Sequence, residues 1–203
     1  EWALPGIARS AYTEATVVTD IDPDAVASVA AARDVRGVTP ESFRNGDAAD
    51  EYDAVYVATP NATHLEYVAA AADQGKAVLC EKPVESTVDR ARRLVAACDD
   101  AGVPLMLGYR MQTDPAARRF RDLVEAGVAG DVRHVHATMS QTMLGELGSD
   151  FDQWRLDPEL SGGCALMDIG IYPLNTVRFA LGADPIRVSG RTRTDHEPFA
   201  DVD

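Results

Sequence analysis

The chain has 203 residues, a net charge of −14 and 46% apolar residues, which is enough for one domain and part of another. So large an excess of negative charge argues against nucleic acid or an anionic membrane as a partner. No apolar run is long enough to cross a bilayer and no signal-peptide pattern opens the chain, so a cytoplasmic location is expected.

Lysine is rare in this chain, because it occurs only at Lys76 and Lys82, against seventeen arginines. An acidic, lysine-poor composition is typical of halophilic proteins from a salt-loaded cytoplasm, although GC-rich coding produces the same bias. The three cysteines, Cys80, Cys98 and Cys164, have no metal-ligand spacing and do not suggest a disulfide framework, so no metal site is expected.

The first half of the chain alternates between strand and helix patterns. Residues 14–22 read as a buried strand that breaks into an acidic turn, and residues 23–32 read as a helix with Asp22 as N-cap. Residues 54–80 then give strand, helix and strand in fewer than thirty positions. This alternation predicts an α/β fold with a Rossmann-like, doubly wound parallel sheet.

Later segments change in character. Residues 131–141 alternate in polarity as a half-exposed strand does, and residues 185–194 predict a second such strand. We place the domain boundary between about residues 112 and 130, with a dinucleotide-binding domain at 1–118 and an unfinished α+β domain at 119–203. The other predicted elements are a strand at 36–39, a helical turn at 40–43, helices at 87–101, 114–126 and 164–181, a strand at 103–110 and a loop at 144–163.

A dinucleotide fold opens with a strand and a G-x-G-x-x-G loop, and the sequence contains neither before residue 14. The sequence is therefore expected to be a piece cut just downstream of its phosphate-binding loop and incomplete at both ends. Asp20 stands where a carboxylate accepts hydrogen bonds from an adenosine ribose, and it would repel a 2′-phosphate, which favours NAD over NADP. Equally, Asp20 could be part of a polar turn beside the Asp22 cap.

Polar groups follow both strands of the central strand–helix–strand unit. Ligands bind beyond the carboxyl ends of parallel strands, so Thr59-Pro60-Asn61 and Glu81-Lys82-Pro83 are expected to face one crevice. In that position, Lys82 could stabilise a developing negative charge. Alternatively, Lys82 could form a surface ion pair with Glu81. Asn61 could instead cap the following helix, and His64 taken alone is more simply a half-exposed side chain.

The segment from Gly162 to Pro173 carries a second polar cluster. Gly162 and Gly163 allow close approach of a ligand, and Asp168 and Tyr172 lie four apart on one helical face. A phenol beside a lysine is a workable proton-transfer pair, because the ammonium favours the phenolate. Alternatively, the helix is kinked and its Asp and Tyr satisfy each other. Arg155 could bind a diphosphate or a loop carboxylate.

Five motifs follow one another along the chain: ATPNATH at 58–64, CEKP at 80–83, GYRM at 108–111, QWRL at 153–156 and SGGCALMDIGIYPLN at 161–175. In this order and spacing they resemble the glucose–fructose oxidoreductase and inositol dehydrogenase family of nicotinamide-dependent sugar enzymes. Many members carry histidine at the position of Tyr172, and a tyrosine there is similar to the aldose dehydrogenase branch and, within it, to the D-xylose 1-dehydrogenases of haloarchaeal type.

The resemblance implies a Rossmann-like domain joined to an open mixed sheet, and oxidation at the anomeric carbon of a sugar. It implies Lys82 and Tyr172 as the acid–base pair, with Asp168 positioning a sugar hydroxyl. The xylose enzymes of this branch prefer NADP, which Asp20 opposes, so the cofactor is NAD or NADP. The resemblance implies a nicotinamide and substrate pocket lined by Thr59, Pro60, Asn61, His64, Glu81, Arg110, Trp154 and Arg155.

The leading hypothesis is an NAD(P)-dependent aldose 1-dehydrogenase that acts on D-xylose or D-glucose and releases the lactone. A dihydrodiol or inositol dehydrogenase of the same family is the first alternative. A dinucleotide-binding module without turnover is the second. The expected partners are a small aldose substrate and, for the full-length protein, further copies of the same chain.

Overall fold

The structure is a computed structural model, and it describes residues 3–141 and 153–194. The chain divides into two compact units, each formed by several separated stretches. The first unit comprises Glu1–Val57, Glu66–Leu79 and Val95–Leu105, and the second comprises Ala58–Leu65, Cys80–Leu94 and Met106–Asp203.

The first half of the chain alternates between helix and strand as predicted. Its elements are α1 (Leu4–Arg9), β1 (Val17–Thr19), α2 (Pro23–Arg33), β2 (Arg36–Val38), α3 (Pro40–Asn45), β3 (Ala54–Val57), α4 (His64–Asp73), β4 (Ala77–Cys80), α5 (Val88–Ala101) and β5 (Leu105–Leu107). Then follow α6 (Pro115–Glu125), α7 (Pro158–Ser161), a π-helix (Ala165–Gly170) and α8 (Ile171–Leu181). Single 3₁₀ turns occur at Ala49–Glu51, Asn61–Thr63, Arg110–Gln112 and Trp154–Leu156.

The strands form two parallel sets, and the Rossmann-like fold class is confirmed. One sheet pairs β1 with β2, with Val17 opposite Arg36 and Thr19 opposite Val38. The other has the order β3-β4-β5.

Local chemistry explains the elements that lead to the site. The Asp22 carboxylate accepts from the Asp24 amide at 2.9 Å and Pro23 takes the first helical position, so the predicted start of α2 is confirmed. Apolar packing then fixes the strand–helix–strand unit, since Val68 of α4 is fully buried and Val57 of β3 and Val78 of β4 are each 3% exposed.

The two predicted strands of the α+β part are wrong for the described residues. Segments 131–141 and 185–194 have no regular secondary structure, and nearly all of their residues are exposed. A strand needs a neighbour for its amide and carbonyl groups, and neither segment has one within the described residues. Of the predicted loop at 144–163, residues 144–152 lie outside the described residues, and residues 153–163 contain the 3₁₀ turn Trp154–Leu156 and α7.

The predicted helix over residues 164–181 is present but is wound in two ways. Its first part is a π-helix and its second part is α8, and the change falls between Gly170 and Ile171. Within residues 3–141 and 153–194, no helix is both long and apolar enough to cross a membrane.

Candidate active site

Lys82 lies two residues beyond β4, and its side chain is 11% exposed. Its Nζ donates twice to one residue, at 2.7 Å to the main-chain oxygen of Asp168 and at 2.5 Å to the Asp168 carboxylate. The Glu81 carboxylate accepts from the main-chain amide of Lys82 at 3.1 Å. The Lys82 ammonium is therefore fixed by the distant helix and is not the mobile head of a surface pair with Glu81.

The ring of Tyr172 lies beside two cations. Lys82 Nζ is 4.9 Å from the ring centroid, and the guanidinium carbon of Arg110 is 5.4 Å from it. Both distances fall within the range of cation–π attraction. The lysine and the tyrosine, 90 positions apart in the sequence, thus meet within the second unit.

Asp168 is shared between two basic residues. Arg155 Nε donates to Asp168 Oδ2 at 3.2 Å while Lys82 occupies Oδ1, and the guanidinium of Arg155 lies 4.5 Å from the ring centroid of Trp154. Asp168 thus pairs with Lys82 and Arg155, and not with Tyr172 as in one of the sequence alternatives. A carboxylate oxygen can accept more than one hydrogen bond, so each oxygen of Asp168 can also accept one from a hydroxyl group.

One alternative drawn from the sequence was that Asn61 caps the following helix, α4, but it does not. It begins a 3₁₀ turn instead, it is 3% exposed, and its Nδ2 donates to the Ser161 carbonyl oxygen at 2.8 Å. In the same turn, Thr63 Oγ1 lies 2.8 Å from Thr59 Oγ1 and donates to the Pro60 carbonyl oxygen at 2.7 Å. The polar residues after β3 are thereby held in one closed turn.

Gly162 allows a close approach to another segment of the protein. Its φ is +72°, and a Cβ there would lie 2.4 Å from the main-chain oxygen of Ser86. The segment that leads to Asp168 and Tyr172 therefore packs directly on the main chain that follows Lys82. Any side chain at position 162 would push these two segments apart.

His64 is a buried connector that sequence reasoning treated as a half-exposed side chain. It is fully buried, its Nε2 lies 3.0 Å from the Thr59 carbonyl oxygen, and its Nδ1 lies 3.1 Å from that of Pro83 and 3.2 Å from that of Val84. One ring thus joins the turn after β3 to the loop that carries Lys82. The one hint in the sequence that His64 belongs to this site is its position one turn after Thr59-Pro60-Asn61.

Glu85 and Arg90 form a second connection that the sequence did not reveal. The Glu85 carboxylate is buried and accepts from Arg90 Nε at 2.9 Å, from the Leu65 amide at 3.3 Å and from the Ser86 amide at 2.6 Å. Arg90 also donates to the Ala62 carbonyl oxygen at 2.6 Å. Burial raises the pKa of Glu85, but the bonds from Arg90, Ser86 and Leu65 outweigh it and leave the pKa below its ordinary value.

Asp20 lies in the first unit, directly after β1, and is exposed. Its Oδ1 accepts from the Asp22 amide at 3.0 Å, which is the polar turn that one sequence alternative described. The binding of a ribose by Asp20 stays a prediction. Among the described residues, no group of three or more His, Cys, Asp or Glu side chains is placed to hold a metal ion.

Two family models match the chain. Residues 3–109 match an oxidoreductase family described by its NAD-binding Rossmann fold, and residues 117–203 match the GFO/IDH/MocA C-terminal domain.

Curated relatives match over nearly the whole chain. D-xylose 1-dehydrogenase [NADP(+)] of Haloarcula marismortui is 51% identical over 100% of this chain and 56% of its own length. D-xylose 1-dehydrogenase (NADP(+)) 2 of Haloferax volcanii is 35% identical over 93% of this chain and 55% of its own length. The chain thus spans about half the length of the curated relatives it matches.

A solved structure has a similar fold. The aldose-aldose oxidoreductase from Caulobacter crescentus, complexed with glycerol, superposes with a TM-score of 0.78 at 32% identity. The match covers 90% of this chain and 54% of that structure.

Proposed function

Because the chain belongs to the GFO/IDH/MocA oxidoreductase family, we propose that its full-length protein is an NAD(P)-dependent aldose 1-dehydrogenase. The substrate class is an aldose of the D-xylose or D-glucose type, and the product is the lactone. The resemblance of the sequence to the xylose enzymes supports this choice, as do the names of the two haloarchaeal relatives. The acidic, lysine-poor composition agrees with a halophilic source.

The observation that carries the proposal is the position of the Lys82 ammonium, 4.9 Å from the centre of the Tyr172 ring and anchored twice by Asp168. A positive charge held next to a phenol stabilises the phenolate, which is the form that accepts a proton. The anchoring matters because a catalytic group must keep its geometry to within a fraction of an ångström.

The residues around this pair have the chemistry that a nicotinamide dinucleotide needs. Thr59, Lys82 and Arg110 follow β3, β4 and β5, and such cofactors bind at the carboxyl ends of parallel strands. When bound, the nicotinamide supplies a hydride acceptor. We assign its binding to Thr59, Pro60, Asn61, His64, Glu81, Lys82, Arg110, Trp154 and Arg155, with Asp20 on the adenosine ribose.

Tyr172, as phenolate, takes the proton of the anomeric hydroxyl. The hydrogen on the anomeric carbon leaves with its electron pair, and the carbon–oxygen bond becomes the carbonyl of the lactone. Lys82 compensates the charge on the phenolate before the transfer and lies next to the neutral phenol after it. Asp168, besides holding Lys82, offers its remaining acceptor sites to a sugar hydroxyl.

The test uses the full-length protein and measures the formation of reduced nicotinamide with D-xylose, D-glucose, myo-inositol and a trans-dihydrodiol. Lys82→Met and Tyr172→Phe are each expected to lower kcat by roughly a hundredfold or more, the usual contribution of a positioned acid–base group. Cofactor affinity, measured by nucleotide fluorescence, should change far less.

Unchanged turnover in both variants would refute the assignment. Nucleotide binding without oxidation of any of these substrates would support a binding module instead. Assembly into a homo-oligomer and a cytoplasmic location are further parts of the proposal, and sedimentation of the full-length protein tests the first.

A further inference from the structure

The helix that carries Asp168 and Tyr172 contains a proline well inside it. Pro173 is the third residue of α8, and the preceding turn, Ala165–Gly170, is wound as a π-helix. A proline at the first helical position is harmless, whereas one in the interior destabilises the helix. π-turns are rare and are frequently found at functional sites.

The geometry of proline relates these two features. An interior proline lacks an amide hydrogen, and its ring collides with the carbonyl group four residues earlier, here that of Ile169. A wider turn moves that carbonyl group away from the ring. In the wider hydrogen-bonding pattern, position 173 would donate to the carbonyl oxygen of Asp168, five residues earlier, and proline has no hydrogen to give.

That carbonyl oxygen accepts a hydrogen bond from elsewhere. Lys82 Nζ donates to it at 2.7 Å and to the carboxylate of the same residue at 2.5 Å. The two bonds hold the ammonium between the main chain and the side chain of Asp168. With both in place, the ammonium lies 4.9 Å from the ring centroid of Tyr172, one residue before the proline.

We propose that Pro173 is a positioning residue for Lys82. It keeps the turn at Ala165–Gly170 wide and, having no amide hydrogen, does not compete with the ammonium for the Asp168 carbonyl oxygen. The proline accordingly costs helix stability and gains a fixed charge beside the phenol. The inference rests on the proposed function, because it gives Lys82 a part in the reaction.

The test is Pro173→Ala in the full-length protein, with Pro115→Ala as the matched control. Pro115 is the first residue of α6, where proline is tolerated. For Pro173→Ala we expect an unchanged or higher melting temperature, an unchanged KM and cofactor affinity, and a kcat lower by roughly tenfold to a hundredfold, the usual effect of a misplaced group. Pro115→Ala should leave kcat unchanged.

A second measurement separates positioning from a general structural effect. In a Lys82→Met background, Pro173→Ala should cause no further loss of kcat, because the proline acts through the lysine. A crystal structure of the variant should show residues 165–170 in α-helical form and Lys82 moved from the Asp168 carbonyl oxygen. Pro173→Ser serves as a replacement if the alanine variant does not fold.

An unchanged kcat in the folded variant, or an equal loss with and without Lys82, would overturn the inference. If the wild-type protein oxidises no aldose, the proposed function fails first. If the wild-type protein is active and Pro173→Ala is equally active, only this inference fails.

Discussion

His64 Nδ1 lies 3.1 Å from the carbonyl oxygen of Pro83, and Nε2 of the same ring lies 3.0 Å from that of Thr59. The fully buried imidazole thus fixes the loop after β4 to the turn after β3. Two loops that a parallel sheet brings to one edge are here joined by a side chain, and Lys82 is in the loop that this side chain holds.

The first prediction concerns this imidazole. His64→Ala removes a buried ring and its contacts to carbonyl oxygens, so we expect the free energy of unfolding to fall by about 2–4 kcal/mol. Chemical denaturation measures it. His134 is exposed, and His134→Ala should change stability by less than about 0.5 kcal/mol. Equal effects of the two substitutions would mean that the connection has no energetic weight.

The second prediction uses two glycines with similar backbone angles. Gly162 and Gly182 have φ of +72° and +60°, but a Cβ would meet the Ser86 main chain at position 162 and nothing within 4 Å at position 182. Gly182→Ala should cost about 1 kcal/mol for the left-handed conformation alone. Gly162→Ala should cost about 1–3 kcal/mol more because of overpacking. Thermal unfolding of the two variants gives the difference, and equal costs would argue against the close contact.

The third prediction follows from the lowered pKa of Glu85. A carboxyl group with a pKa below its ordinary value stabilises the fold at neutral pH, and this contribution disappears as the pH falls through the folded-state pKa. Glu85→Gln should lower the free energy of unfolding at pH 7 by about 1–3 kcal/mol. As the solution is acidified, the free energy of unfolding of the Glu85→Gln variant should also change less than that of the wild type.

The control for this substitution is Glu14→Gln, which changes an exposed carboxyl group. Urea denaturation at a series of pH values should give parallel curves for the wild type and this control. An acid dependence of Glu85→Gln as steep as that of the wild type would show that another group dominates the acid limb.

The fourth prediction concerns the choice of cofactor. If the Asp20 carboxylate accepts hydrogen bonds from the ribose, Asp20→Ser loses bonds worth about 1.5–3 kcal/mol, which lowers kcat/KM for NAD by roughly tenfold or more. The same change removes repulsion toward a 2′-phosphate, so kcat/KM for NADP should rise. Steady-state kinetics with both cofactors tests this, with Asp24→Ser as a neighbouring control. An unchanged ratio would place the ribose elsewhere.

The sequence predicted those parts of the fold that depend on near neighbours. The start of α2 follows from Asp22 and Pro23 alone, and the order of strands and helices through β5 follows from apolar spacing. Residues 131–141 show the limit of such reasoning. Their alternation suits a strand, but a strand exists only when another chain segment supplies its hydrogen bonds, and periodicity does not reveal whether one does.

The candidate site divides in the same way. The proximity of Lys82 and Tyr172 was expected from a resemblance to known enzymes, and the observed distance agrees with it. The bond from Asn61 to Ser161 joins residues one hundred positions apart, and no local pattern indicates it. The same holds for Gly162, whose neighbour is the main chain of Ser86. Such contacts arise from the packing of distant segments.

The unit that contains Lys82 and Tyr172 is assembled from three stretches of chain, and Asp168 belongs to the last of them. A growing polypeptide leaves the ribosome from its N-terminus, so the lysine emerges long before the residue that anchors it. On the proposed function, we therefore expect nascent chains that stop before Asp168 to be inactive, and activity to arise only late in translation.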